Sequence, residues 1–96
     1  IAQVESGFVS MNGYADREGV RALSPVMDIS TAMMASNAIL GALFARERSG
    51  QGQAIEVSLF ENAVLMTGYA TMQSLFNNAD PRRSGNTSPD TCPSGV

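Results

Sequence analysis

Residues 29–44 (I-S-T-A-M-M-A-S-N-A-I-L-G-A-L-F) are apolar on nearly every side of a helix. Ile29, Met33, Leu40 and Phe44 form one face; Ala32, Ala35, Ile39 and Ala42 form a second, built mostly of small residues. A helix without a polar face must be covered on most sides by other protein. The rest of the chain therefore reads as approach, support or exit for this helix. Its start is expected at or just after Asp28, because Asp28, Ser30 and Thr31 are all capping types. Its end is expected near Arg48. Arg46 and Arg48 suit the negative end of the helix dipole, and Ser49-Gly50 is a stop signal.

Upstream, Ile1, Val4, Phe8 and Met11 share one helical face, interrupted by Gly7, and Asn12-Gly13 ends it. Residues 14–19 read as a surface loop and residues 20–26 as extended, with Pro25 keeping Ser24 out of the helical region. Downstream, residues 51–53 form a tight connection. In A-I-E-V-S-L (residues 54–59) Ile55, Val57 and Leu59 alternate with Ala54, Glu56 and Ser58, which predicts a strand. Ser58 and Glu61 fit a capping box, opening a helix over about 60–76 with Leu59, Ala63, Met66, Ala70 and Met72 among its apolar positions. From Asn77 onward the chain is rich in Asn, Asp, Ser, Pro and Gly and reads as linker and turns. A helix, a loop, a long buried helix, a strand and a helix make an α/β fragment. The apolar start at Ile1 and the Pro-Ser-Gly turn before Val96 suggest an internal piece of a longer protein.

Charge excludes some functions. The chain has no His, its six basic residues are all Arg, and its net charge is −3. Nothing forms a basic stripe for nucleic acid or a polybasic flank for a membrane surface. Residues 32–45 include Ser36 and Asn37 and fall short of the roughly 20 apolar residues that span a bilayer. The single cysteine, Cys92, excludes an intrachain disulfide and fits a reducing cytoplasm.

Few residues can carry chemistry. Without His, neither a Ser-His-Asp nor a Cys-His apparatus can be built from these residues, and no metal-ligand spacing is present. Gly50-x-Gly52 follows a helix and precedes a strand, the reverse of a phosphate loop, so these glycines read as turn residues. Arg21 reads as a solvated charge, Glu61 as the capping-box acid, Met33-Met34 as core packing and Cys92 as an inert thiol. Asp28 has two readings. One is a helix cap. The other is a nucleophile, because the positive end of the dipole favours an ionised carboxylate there. Such a carboxylate can attack an activated acyl group, with neighbouring N–H groups stabilising the oxyanion.

The segment V-R-x-x-x-P-V-x-D-I-S-T (residues 20–31) resembles the approach to the aspartate of family III coenzyme A transferases. This is the group of formyl-CoA transferase and the carnitine-type CoA-transferases. A-R-E-R-S-G-Q-G-Q-A-I-E-V-S-L-F-E-N-A-V (residues 45–64) is similar to a second pattern of that family, and residues 82–96 resemble its entry into a smaller domain. The resemblance implies part of a Rossmann-like large domain over 1–59, a linker helix and exit loop over 60–84, and the start of a small domain over 85–96. It further implies a cytoplasmic homodimer of interlocked chains, with no permanently bound cofactor and a coenzyme A thioester as substrate. It matches Asp28 to the acyl-accepting aspartate. CoA would move from an acyl-CoA donor to a carboxylic acid through an aspartyl intermediate. The CoA-binding residues are not assigned. The family usually has Gly where this chain has Ala32, and the extra methyl narrows the space beside the acyl group.

Two other readings remain at this point. A 2-methylacyl-CoA racemase or epimerase shares the fold and the aspartate but moves a proton at the α-carbon, with a histidine from elsewhere. A non-catalytic helical packing module would use Asp28 only as a cap.

Overall fold

The computed structural model describes residues 1–88 and Pro93. Five helices follow one another: α1 (Ala2–Glu5), α2 (Phe8–Met11), α3 (Val26–Ser49), α4 (Leu59–Met66) and α5 (Gly68–Asn77). The expected first helix is split in two by Gly7, whose φ of 81° lies in the left-handed region. The chain then closes a loop: Asn12 accepts at its carbonyl from the Val20 N–H (2.9 Å), and its side chain donates to the Val20 carbonyl (2.9 Å). The extended approach to α3 is held by Gln3, whose side-chain oxygen accepts from the Ala22 N–H (2.9 Å).

Helix α3 starts earlier than Asp28. Pro25 occupies the N-cap position without a side-chain cap, and its carbonyl accepts the first helical bond, from the Ile29 N–H (3.0 Å). The fixed φ of proline prepares the chain for the helix before the capping-type residues are reached. Ser30 and Thr31 do not cap. Their hydroxyls donate back to the Val26 and Met27 carbonyls (2.7 and 2.6 Å). The C-terminal end is as expected: Gly50 has φ 72° and its N–H donates to the Arg46 carbonyl (2.8 Å). The Arg48 guanidinium lies over the Phe44 ring at 4.5 Å.

The strand expected over 54–59 is not formed. Residues 51–58 carry no regular element, and among the described residues no backbone hydrogen bond joins 51–57 to another segment. A strand exists only with a neighbour to complete its ladder, so the alternating pattern here gives an extended return without a sheet. Gly52, Gln53 and Ile55 line a depression with Ile39, Ala42, Leu43 and Arg46, so the return runs back along α3. It delivers α4 to the beginning of α3. The helix expected over 60–76 breaks at Thr67, whose hydroxyl donates to the Val64 carbonyl (2.7 Å) just before Gly68.

The core is small and centred on α4, which packs on α1, α2, α3 and α5. Met27, Ala63 and Ala70 are its buried apolar residues, joined by buried Asn62 and Thr67. Leu59, Met66 and Met72, expected inside, are exposed, and so are Met33 and Met34. The expectation of a helix buried on most sides is not met within the described residues, where Met27 is the one buried residue of α3. At 24 residues α3 is also long and apolar enough to cross a bilayer by length and composition, contrary to the count made on 32–45. Cys92 and the part of the expected small domain beyond Ser88, Pro93 apart, lie outside the described residues.

Arg83 ties the exit segment to the first loop. Its guanidinium donates to the carbonyls of Ser10 (2.8 Å), Tyr14 (3.1 Å) and Arg17 (2.7 Å). A fork of this shape has no lysine equivalent. Arg83→Ala and Arg83→Lys should both destabilise the full-length protein by about 1–2 kcal/mol, read by thermal melting. Wild-type melting of Arg83→Ala would show that the fork adds no stability.

Candidate functional site

Asp28 is the third residue of α3, inside its first turn. It is exposed, and its side chain makes no hydrogen bond or ion pair among the described residues. The capping role is thus not realised. What the position offers is a carboxylate beside free backbone donors. The N–H groups of Met27 and Asp28 precede the first helical bond and take no acceptor among the described residues. Pro25 contributes no N–H at all. Such a helix start favours negative charge.

The turn that carries Asp28 is gripped from behind. Met27 is 2% exposed and packs into the α4 side of the core. Asn62, also 2% exposed, donates from Nδ2 to Ser30 Oγ at 2.6 Å and lies 3.4 Å from the Met27 carbonyl. The Ser30 hydroxyl in turn donates to the Val26 carbonyl, so Asn62 is linked through Ser30 to the backbone of the first turn. At about 100° per residue, Met27 and Ser30 face α4 while Asp28 points to the opposite flank. Ser58 caps α4 by accepting from the Glu61 N–H (3.3 Å). The reciprocal bond of a capping box, in which the Glu61 carboxylate would accept from the Ser58 N–H, is absent among the described residues.

One turn beyond Asp28, Ala32 lines an open depression of about 510 Å³ with Ile29, Met33, Ser36 and Asn37. An added or removed methyl at Ala32 therefore acts on the surface next to the acid. Arg21 is exposed and away from any ion pair among the described residues, as expected of a solvated charge. No group of three or more His, Cys, Asp or Glu suited to a metal occurs among the described residues. Asn62 was not singled out from the sequence. The available signal was an amide set among the apolar positions of F-E-N-A-V-L-M, where a buried polar residue needs a partner.

Because Asp28 neither caps nor bonds, Asp28→Asn should cost less than about 1 kcal/mol, the scale of a charge–dipole contact. Thermal melting of the full-length variant checks this, and a loss of several times that size would assign the carboxylate a structural role.

A family model described as CoA-transferase family III matches residues 1–96. A succinate–glutarate CoA-transferase of Agrobacterium fabrum is 34% identical over 93 residues, which is 97% of this chain and 23% of that protein. An acetyl-CoA:oxalate CoA-transferase of Acetobacter aceti is 33% identical over 100 residues, covering 100% of this chain and 25% of the other. The crystal structure of a CAIB/BAIF family protein from Brucella suis matches with a TM-score of 0.86 at 31% identity, over 98% of this chain and 25% of that one. The chain thus spans about a quarter of the length of these relatives.

Proposed function

Since the chain belongs to CoA-transferase family III, we propose that its protein moves coenzyme A from an acyl-CoA donor to a carboxylic acid, with Asp28 as the acyl acceptor. The observation that carries this reading is the exposed carboxylate of Asp28, unbonded among the described residues, in a first turn whose Met27 and Asp28 N–H groups take no acceptor there. An attacking carboxylate must be reachable and free of competing donors, and the oxyanion it generates needs preorganised N–H groups nearby.

The steps balance as follows. An Asp28 oxygen attacks the donor thioester carbonyl, the C–S bond breaks, and CoA leaves as a thiolate, giving a mixed anhydride. The thiolate then attacks the Asp28 carbonyl of that anhydride. The donor acid departs with one former Asp28 oxygen, leaving an aspartyl-CoA thioester. The acceptor carboxylate attacks this thioester and expels the thiolate, forming a second anhydride. Attack of the thiolate on the acceptor carbonyl yields the new acyl-CoA and restores Asp28, now holding an oxygen from the acceptor. Nothing in the cycle requires a proton donor.

The names of the relatives, with succinate, glutarate and oxalate among their acids, support dicarboxylic acids as the substrate class. The same reading makes residues 1–59 part of a Rossmann-like large domain, 60–84 a linker and 85–96 the entry to a small domain. The protein is then a cytoplasmic dimer of interlocked chains, and the exposed apolar faces of α3 support cover by further protein.

The test is chemical trapping. Full-length protein is incubated with succinyl-CoA, quenched with hydroxylamine or borohydride, and mapped by mass spectrometry. Modification at Asp28 is expected, and Asp28→Asn should lose transfer by on the order of a thousandfold or more. Exchange of solvent deuterium at the α-carbon of a 2-methylacyl-CoA, without any Asp28 adduct, would assign a racemase instead. Near-normal transfer by Asp28→Asn would overturn the nucleophile assignment.

A further inference from the structure

We propose that Asn62, on α4, is a positioning residue that fixes the rotation of α3 about its own axis and so aims the Asp28 carboxylate. The inference rests on the reading of Asp28 as the acyl acceptor. Three observations carry it. Asn62 is the buried polar residue of α4 that reaches α3, across 35 residues of sequence. Its short bond to Ser30 Oγ (2.6 Å) and the bond from Ser30 to the Val26 carbonyl (2.7 Å) bracket Asp28 in sequence, on the side of the helix away from the acid. The remaining buried contact of α3, Met27, is a flexible apolar side chain that restrains distance far better than it restrains angle.

The geometry makes angle the sensitive variable. A side-chain tip lies about 5–6 Å from a helix axis, so a rotation of about 10° moves the carboxylate about 1 Å. A misplacement of that size at a reacting atom costs on the order of a hundredfold in rate. Among the described residues, the return segment meets the C-terminal half of α3 at an open depression, so the bonded contact with α4 lies at the first turn. The amide–hydroxyl bond is directional, and directionality is what apolar packing lacks. Asn62 itself does not touch substrate in this scheme. It acts through Ser30 and the backbone of the first turn.

The test uses two variants that break the same bond from opposite sides in the full-length protein. Asn62→Leu keeps the heavy-atom branching of the side chain and removes the donors; Ser30→Ala removes the acceptor with a minimal change of shape. Asn62→Leu is expected to lower kcat by about 10–100-fold and to leave KM within about twofold of the wild type, since ground-state binding is not aimed by Asp28. Ser30→Ala should lower kcat by a smaller factor, and the double variant should be no worse than Asn62→Leu, because both act through one bond. The rate of Asp28 labelling by succinyl-CoA and hydroxylamine should fall in parallel with kcat. Wild-type kcat in either variant, equal effects on kcat and KM, or multiplicative losses in the double variant would each overturn the proposal. If Asn62→Leu fails to fold, Ser30→Ala decides alone by its kcat and labelling rate. Absence of labelling at Asp28 in the wild type would refute the transferase reading itself. Labelling at the wild-type rate in both variants would refute only the positioning role.

Discussion

The contact between α4 and the first turn of α3 governs the structure. It joins α3 to the core at one small patch, where Met27 and Asn62 are both buried and Asn62 bonds to Ser30. The core elsewhere is made of small side chains, Ala63 and Ala70 with Thr67. Such a core buries little apolar area, and stabilisation by burial scales with that area. Specific hydrogen bonds therefore set the geometry more than bulk packing does. A buried amide is costly without partners and directional with them, and here both partners lie next to the acid.

The same economy explains the long helix. Met33, Leu40 and Phe44 of α3 stay in solvent, because the elements that reach α3 meet it at its start or run past as an unpaired extended segment. The exposed face is coherent, lying along one side of a 24-residue helix. A surface of this kind on a chain about a quarter as long as its relatives is one that more protein would cover.

Much of this was legible from local chemistry. The Asn12-Gly13 stop, the Gly50 terminus, the helix downstream of Ser58 and the shift at Asn77 depend on single residues and their neighbours, and all four are observed. What could not be read depends on partners. Alternation in residues 54–59 specifies a surface that fits a sheet, but a strand needs a second strand. The apolar faces of α3 specify burial, but only a neighbour can supply it. The capping types Asp28, Ser30 and Thr31 point to a later start of α3 than the one observed, where Pro25 is the N-cap and Ser30 and Thr31 bond back into the helix. The acid was located from the sequence, while the residue that holds its turn was hidden in an ordinary helical pattern, since Asn62 becomes distinctive only once Ser30 is 2.6 Å away.

Under the proposed mechanism Asp28 exchanges an oxygen with its substrates in every cycle. The direct measurement is to run the full-length protein with an acceptor acid labelled with heavy oxygen in its carboxylate, digest it, and weigh the Asp28 peptide. The expected result is that this peptide alone gains heavy oxygen, one atom in a single turnover and up to two on repeated turnover, and that the label leaves in donor acid released by later turnovers. Transfer of coenzyme A with no heavy oxygen entering Asp28 would contradict the mechanism.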